Sequence, residues 1–91
     1  MWRVYILYSK KDKGFYVGCT NNLDQRIVTH NDGRVISTRY RRPFVVIRIE
    51  EFLDKTMAFQ RERFLKSLWG VRFKKKILNQ YLQNINSPHP H

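Results

Sequence analysis

Apolar and polar positions along the chain mark out three strands and three helices. Val4 to Tyr8 is a β-branched, aromatic and aliphatic run; the charged, glycine-containing stretch Lys10-Lys11-Asp12-Lys13-Gly14 breaks it, and Phe15-Tyr16-Val17-Gly18 resumes it, which predicts a hairpin. Strand alternation then places Tyr5 and Leu7 on one face, with Val4, Ile6 and Tyr8 on the other, and separates Tyr16 from Phe15 and Val17. Leu23, Ile27 and His30 fall at offsets of four and three, after an asparagine pair (Asn21, Asn22) able to cap a helix and before the stop signal Asn31-Asp32-Gly33. Arg26 borders the same face as His30. The stretch from Arg34 to Arg42 is basic and hydroxyl-bearing and closes on Pro43, as suits an ordered loop. Phe44 to Ile49 is almost unbroken in apolar residues and predicts the central strand of a three-stranded sheet.

Asp54 caps a second predicted helix from Lys55 to Leu68, with Ala58, Leu65 and Leu68 inward and Gly70 just past its end. Glu62 lies four residues after Ala58 and three before Leu65, within the apolar stripe. An ionised carboxylate there requires a cation, a metal or a donor, because leaving it unpaired out of water costs several kcal/mol. The last helix, from Val71 to Asn84, spaces Phe73, Ile77 and Tyr81 along one side and sets Lys74, Lys75 and Lys76 around the rest. The expectation is a single domain over residues 1–84, of α+β class, followed by a disordered tail over 85–91.

Composition narrows the partners. Ninety-one residues suffice for one modest core. Lys and Arg number 18 against 7 Asp and Glu, a formal charge of +11, which spreads positive potential over much of so small a surface and points to a polyanion. Apolar runs such as Phe44 to Ile49 fall far short of the roughly 20 residues that cross a bilayer, and Lys10 and Lys11 interrupt the N-terminal run too early for a secretory segment, so no membrane partner and a cytoplasmic location are expected. The single cysteine, Cys19, excludes an internal disulfide and a thiolate zinc cage.

Phosphodiester hydrolysis needs a base to prepare water, a cation beside the pentacoordinate phosphate and a metal ion at the leaving oxygen. Tyr5, Tyr16, Arg26, His30 and Glu62 supply such parts, and the elements above allow all five to converge on one sheet face. Each also has a structural reading: the tyrosines as amphipathic core, Arg26 in an ion pair, His30 at a helix C-terminus, Glu62 neutralised by Arg26, and Cys19 as a packing residue.

The order Arg3-Val4-Tyr5, Tyr16-Val17-Gly18, Arg26, Ala58, Arg61-Glu62 and Leu65-Lys66 resembles the GIY-YIG endonuclease superfamily. The similarity is greatest to short single-domain members related to the nuclease domain of the bacterial excision-repair incision subunit. The resemblance runs from Trp2 to Leu78 and includes Asn22-Leu23, His30-Asn31, Gly33, Ser37-Thr38 and Arg42-Pro43. It implies a three-stranded antiparallel sheet flanked by helices and a single divalent metal, Mg2+ or Mn2+, held by Glu62. It further implies Tyr16 as base or base-relay, Tyr5 as its orienting neighbour, Arg26 on the scissile phosphate and His30 in proton transfer. Two positions depart from the pattern: Arg3 replaces the first glycine, and Cys19 stands where the repair nucleases have a lysine. At the spacing of the family's late asparagine stands Lys74, with Asn79 the nearest candidate.

The implied activity is metal-dependent cleavage of damaged, branched or flapped DNA, in repair or recombination, with targeting by substrate shape or by a protein partner. The alternatives are a non-catalytic nucleic-acid-binding module on the same fold and a small basic ribosome-associated protein. Expected nucleic-acid contacts are Arg34, Thr38, Arg39, Arg41 and Arg42 in the basic loop, with Lys66, Lys74 and Lys75 on the later helices. Phosphate contacts of this kind fix position rather than sequence.

Overall fold

The computed structural model describes residues 1–86. Strands β1 (Trp2–Ser9) and β2 (Phe15–Thr20) form the expected hairpin, and β3 (Phe44–Phe52) pairs with the other side of β1, so the sheet is antiparallel in the order β2-β1-β3. Helix α1 (Leu23–Asn31) precedes β3, while α2 (Lys55–Lys66) and α3 (Leu68–Asn86) follow it. This is the α+β architecture anticipated from the pattern.

The central strand is β1, not β3. Both carry an unbroken apolar run, but Val4, Tyr5, Ile6 and Leu7 are each 1% exposed or less, whereas β3 gives way to exposed Arg48 and Ile49 after Ile47. Four consecutive buried residues in a strand require cover on both faces. One face of β1 packs Val4 and Ile6 with Val17, Ile47, Ala58, Leu65 and Ile77; the other packs Tyr5 and Leu7 with Leu23 and Phe44, flanked by Tyr16, Ile27 and Val46. Helices α2 and α3 therefore cover one side of the sheet and α1 the other. A bulge shifts the β1–β3 register between Ile6 and Leu7, which face Arg48 and Val46 and leave Ile47 as the extra residue.

The helix ends follow local chemistry. Asn22 caps α1 by accepting from the Gln25 amide at 3.3 Å, and Asp54 caps α2 by accepting from the Thr56 amide at 2.8 Å. Past α1, Gly33 takes φ +77, a left-handed conformation that glycine adopts without steric cost. Helix α2 stops two residues earlier than the pattern predicted, where the Ser67 hydroxyl donates to the Phe64 carbonyl at 2.6 Å. Leu68 accordingly opens α3 and is 90% exposed instead of buried, and Gly70 lies in the first turn of α3 rather than beyond a helix. A side chain there would collide with the Leu65 and Phe64 carbonyls. Helix α3 starts before and ends after the expected Val71–Asn84 and takes in residues 85 and 86; the rest of the predicted tail, 87–91, lies outside the described residues.

The basic loop is ordered by the hairpin turn. The buried Ser9 hydroxyl accepts from the Lys11 and Asp12 amides and donates to the Arg41 carbonyl at 2.6 Å, and the Arg41 guanidinium returns to Asp12 at 2.6 Å. A 3₁₀ turn spans Arg39–Arg41.

Candidate active site

Tyr5 anchors the site. It pairs with Gly18 across the β1–β2 ladder, and its ring lies over that glycine so closely that a methyl group at position 18 would overlap the ring and hydroxyl. The glycine of Tyr16-Val17-Gly18 thus makes room for the tyrosine of the first strand. With 0% of its surface exposed, the Tyr5 hydroxyl lies 3.0 Å from His30 Nε2 and accepts from Arg26 Nε at 3.4 Å. Burial pushes the phenol up to about 12, against the lowering effect of the Arg26 hydrogen bond and with further upward contributions from the charges of Tyr16 and Glu62. Tyr5 stays protonated at neutral pH.

Tyr16 is half-buried and stands beside this group, its ring centroid 6.4 Å from that of Tyr5 and 4.8 Å, edge-on, from that of His30. His30 is 1% exposed and also packs edge-on to Phe44. Burial, then the positive charge of Arg26, bring its imidazole down to about 4, so the ring is neutral at pH 7. Arg26 is held in its charged form first by the Tyr5 hydrogen bond and then, against partial burial, by its electrostatic interactions with both tyrosines. Among the described residues no carboxylate pairs with it, and it lines an open hollow with Thr20, Asn21, Asn22, Gln25 and Thr29.

Tyr5, Tyr16, Arg26 and His30 therefore come together on the α1 side of the sheet. Glu62 does not share that face: it belongs to α2, whose Ala58 and Leu65 pack on the opposite side. Its charge nevertheless contributes, as the smallest of several causes, to raising the pKa of Tyr5, and after burial to raising that of Cys19, so the carboxylate is near enough to act on Tyr5. The reading in which Arg26 neutralises Glu62 is not realised; Lys66, one turn on, takes that role at 3.2 Å. Cys19 is a free, half-buried thiol packed against the α2–α3 core.

Sequence reasoning missed Glu50. This carboxylate, 14% exposed, is gripped by Arg61 at 2.7 and 3.1 Å and by Arg48 at 3.1 Å. Burial would raise its pKa, but the two guanidiniums outweigh burial and hold it below the usual carboxylate value. The Arg61 guanidinium also stacks over Phe64 and Phe73. Because Arg61 precedes Glu62 on α2, fastening it to β3 fixes the rotation of the helix and hence the direction of Glu62. The only sequence signal was an acidic pair directly after the apolar run Phe44 to Ile49, and the bulge that turns Glu50 toward α2 leaves no mark in the pattern.

A divalent ion of the Mg2+ or Mn2+ kind keeps several waters and is bound through one or two carboxylates with substrate phosphate oxygens. Glu62 fits that demand: its side chain is 21% exposed, and its partner Lys66 is 54% exposed and free to turn aside. Among the described residues no three His, Cys, Asp or Glu side chains gather into a fuller cage.

The expected nucleic-acid contacts divide. Arg34 and Lys75 are exposed, Arg34 with only a 3.5 Å approach to Asp32. Arg39 and Arg42 line a hollow of about 600 Å³ with Lys11, Asn31, Tyr40 and Pro43, although each also donates to loop carbonyls. Thr38 is turned inward, 0% exposed, with its hydroxyl 2.9 Å from His30 Nδ1; a buried side chain cannot meet a phosphate from solvent. Arg41 is occupied by Asp12 and the Phe15 carbonyl. Lys66 pairs with Glu62, and Lys74 is half-buried over the Phe15 ring, where burial lowers its pKa. Asn79 is exposed on α3. No helix among the described residues is long and apolar enough to cross a membrane.

Comparison with known proteins places the chain in a family. Residues 1–76 match the family model of the GIY-YIG catalytic domain. The UPF0213 protein YazA of Bacillus subtilis is 40% identical over 75 residues, 81% of this chain and 74% of that one. The UPF0213 protein CPE1444 of Clostridium perfringens is 41% identical over 85 residues, 92% and 82% of the respective chains. The solution structure of the UPF0213 protein BH0048 from Bacillus halodurans superposes with a TM-score of 0.57 at 29% identity, covering 97% of this chain and all of that one. With the tyrosine pair, the helix-borne arginine and the glutamate of α2 all falling inside the matched segment, the chain belongs to the GIY-YIG family.

Proposed function

We propose that the protein is a metal-dependent endonuclease that hydrolyses phosphodiester bonds of DNA. The observation that carries this reading is the joining of a protonated Tyr5, a half-exposed Tyr16 and a carboxylate-free Arg26 in one hydrogen-bonded and stacked group, with the Glu62 charge acting on it. In this assignment Tyr16, the tyrosine that reaches water, positions the attacking water and, in its phenolate form, takes up the water's proton to become the neutral phenol. Tyr5, held protonated, orients the group. Arg26 neutralises charge developing on the phosphoryl oxygens, and such a preorganised donor in a sheltered site contributes several kcal/mol of transition-state stabilisation. Glu62 would hold the divalent ion, which supplies Lewis-acid stabilisation of the leaving oxygen. Neutral His30 holds the Tyr5 hydroxyl and has no path to substrate of its own. Arg34, Arg39, Arg42 and Lys75 draw the backbone of branched, flapped or damaged DNA onto the protein, a role consistent with repair or recombination.

The test is nicking of supercoiled plasmid and of flapped and branched duplexes with Mg2+ or Mn2+. Glu62→Ala and Arg26→Ala should each slow cleavage by on the order of a hundredfold or more while DNA retention is largely kept. Variants that cut as fast as wild type would show that the assigned residues do not perform the reaction.

A further inference from the structure

We infer that Thr38 is a positioning residue: it fixes His30 as the Nδ1–H tautomer and thereby directs the Tyr5 hydroxyl and the guanidinium of Arg26. The inference rests on the functional reading above for its effect on cleavage, and on geometry alone for the tautomer. Five groups lie in a row: Arg26 Nε to the Tyr5 hydroxyl at 3.4 Å, that hydroxyl to His30 Nε2 at 3.0 Å, His30 Nδ1 to the Thr38 hydroxyl at 2.9 Å, and that hydroxyl to the Val35 carbonyl at 3.4 Å. The three middle residues are each able to donate and to accept, but the ends are not. A guanidinium only donates and a carbonyl only accepts.

With all four links made, the protons have one order. Thr38 gives its proton to Val35 and accepts from His30 Nδ1–H; His30 Nε2 then has a lone pair, which takes the Tyr5 proton; and the Tyr5 oxygen is left to accept from Arg26. The opposite tautomer would aim an N–H at a phenol oxygen that already receives the Arg26 proton. It would also strand the Tyr5 proton inside a site where Tyr5, His30 and Thr38 are 0%, 1% and 0% exposed, so water has no room to repair the break. Thr38 is thus the link that converts the Val35 carbonyl, in the loop beyond the helix that carries Arg26, into an instruction about which way the Tyr5 lone pair faces.

The experiment uses the full chain labelled with 15N in its histidine rings. His30 is one of three histidines, and its resonances are assigned by their loss in His30→Gln. At neutral pH the wild type should show the protonated, pyrrole-type nitrogen at Nδ1. Thr38→Val, which keeps the shape and removes the hydroxyl, should shift the population toward Nε2–H, and Thr38→Ser should restore Nδ1–H. On cleaved DNA, Thr38→Val should lower kcat about tenfold with KM nearly unchanged, the scale on which loss of a group that orients a reacting residue is felt; Thr38→Ser should recover most of it. A wild-type His30 in the Nε2–H form overturns the inference, as does a Thr38→Val protein with unaltered tautomer and rate. If Thr38→Val does not fold, the wild-type and Thr38→Ser spectra decide. If wild type cuts no DNA under any metal, the nuclease reading fails, while the ring nitrogens still report whether Thr38 sets the tautomer.

Discussion

Protonating His30 should loosen the fold, and the size of the effect follows from its surroundings. The ring is 1% exposed and accepts or donates at both nitrogens, and burial with the nearby Arg26 charge takes its pKa from 6.5 to about 4. The unfolded chain therefore binds a proton that the folded chain refuses anywhere between these values. Stability is complete above pH 6.5, falls as pH drops below it, and stops falling on this account near pH 4. The total is on the order of 3 kcal/mol, of which roughly 2 to 3 kcal/mol has gone by pH 4.5. The window from 6.5 to 4.5 precedes the losses from Glu50, held below its ordinary 4.5, and from Asp12, which Arg41 and the Gly14 amide hold at about 2. Urea denaturation at half-unit steps of pH measures it. With a slope of about 1 kcal/mol per molar for a domain of this size, the midpoint should move by about 2 M across the window. His30→Gln, which retains an amide donor and acceptor but does not titrate, should show little slope there. A wild-type midpoint flat from pH 6.5 to 4.5, or a slope that persists in His30→Gln, would refute the placement of a neutral buried imidazole at this position.

Gly18→Ala should cost about 2 to 3 kcal/mol, read as a fall in Tm of about 10 °C, because the added methyl overlaps the Tyr5 ring; an unchanged Tm would mean that the ring does not lie there. Removing the Glu50 carboxylate as Glu50→Gln leaves Arg48 and Arg61 facing one another in a part-buried setting. It should destabilise by about 2 kcal/mol, less than the roughly 3 to 5 kcal/mol for breaking a fully buried pair because both guanidiniums still reach water, and chemical denaturation checks this. Arg34→Ala should reduce the slope of log affinity against log salt for DNA by about 1, whereas Thr38→Val should leave that slope unchanged because its side chain is inside.

Much of this architecture was legible because it rests on local periodicity. The alternation of β1 set Tyr5 and Leu7 apart from Val4 and Ile6, and that of β2 set Tyr16 apart from Val17, as the two packing clusters have it. Asn22 and Asp54 announced their helices by side-chain chemistry alone. What local pattern could not carry was depth of cover. The apolar runs of β1 and β3 read alike, yet only β1 has neighbours on both edges. The break after Lys66 was hidden for a similar reason: Leu68 continues the apolar spacing of α2, while the hydroxyl of Ser67 and the tight approach at Gly70 end the helix.

The candidate residues could be named from the sequence, but their assembly could not be read from it. The side of the sheet on which Glu62 sits follows from which helix covers which face, a property of the whole chain. The inward turn of Thr38 follows from the loop that Ser9 and Asp12 pin to the hairpin. A threonine in a run of arginines reads as surface until the buried histidine that needs it is seen.

The proposed nuclease activity requires Arg26 and Glu62 to act on one phosphate from opposite layers of the sheet. Single-turnover cleavage rates for wild type, Arg26→Ala, Glu62→Ala and the double variant test this most directly. Groups that work as one unit give a double variant about as slow as the slower single, each single having lost on the order of a hundredfold or more. Losses that multiply, or four proteins that cut alike, would contradict it.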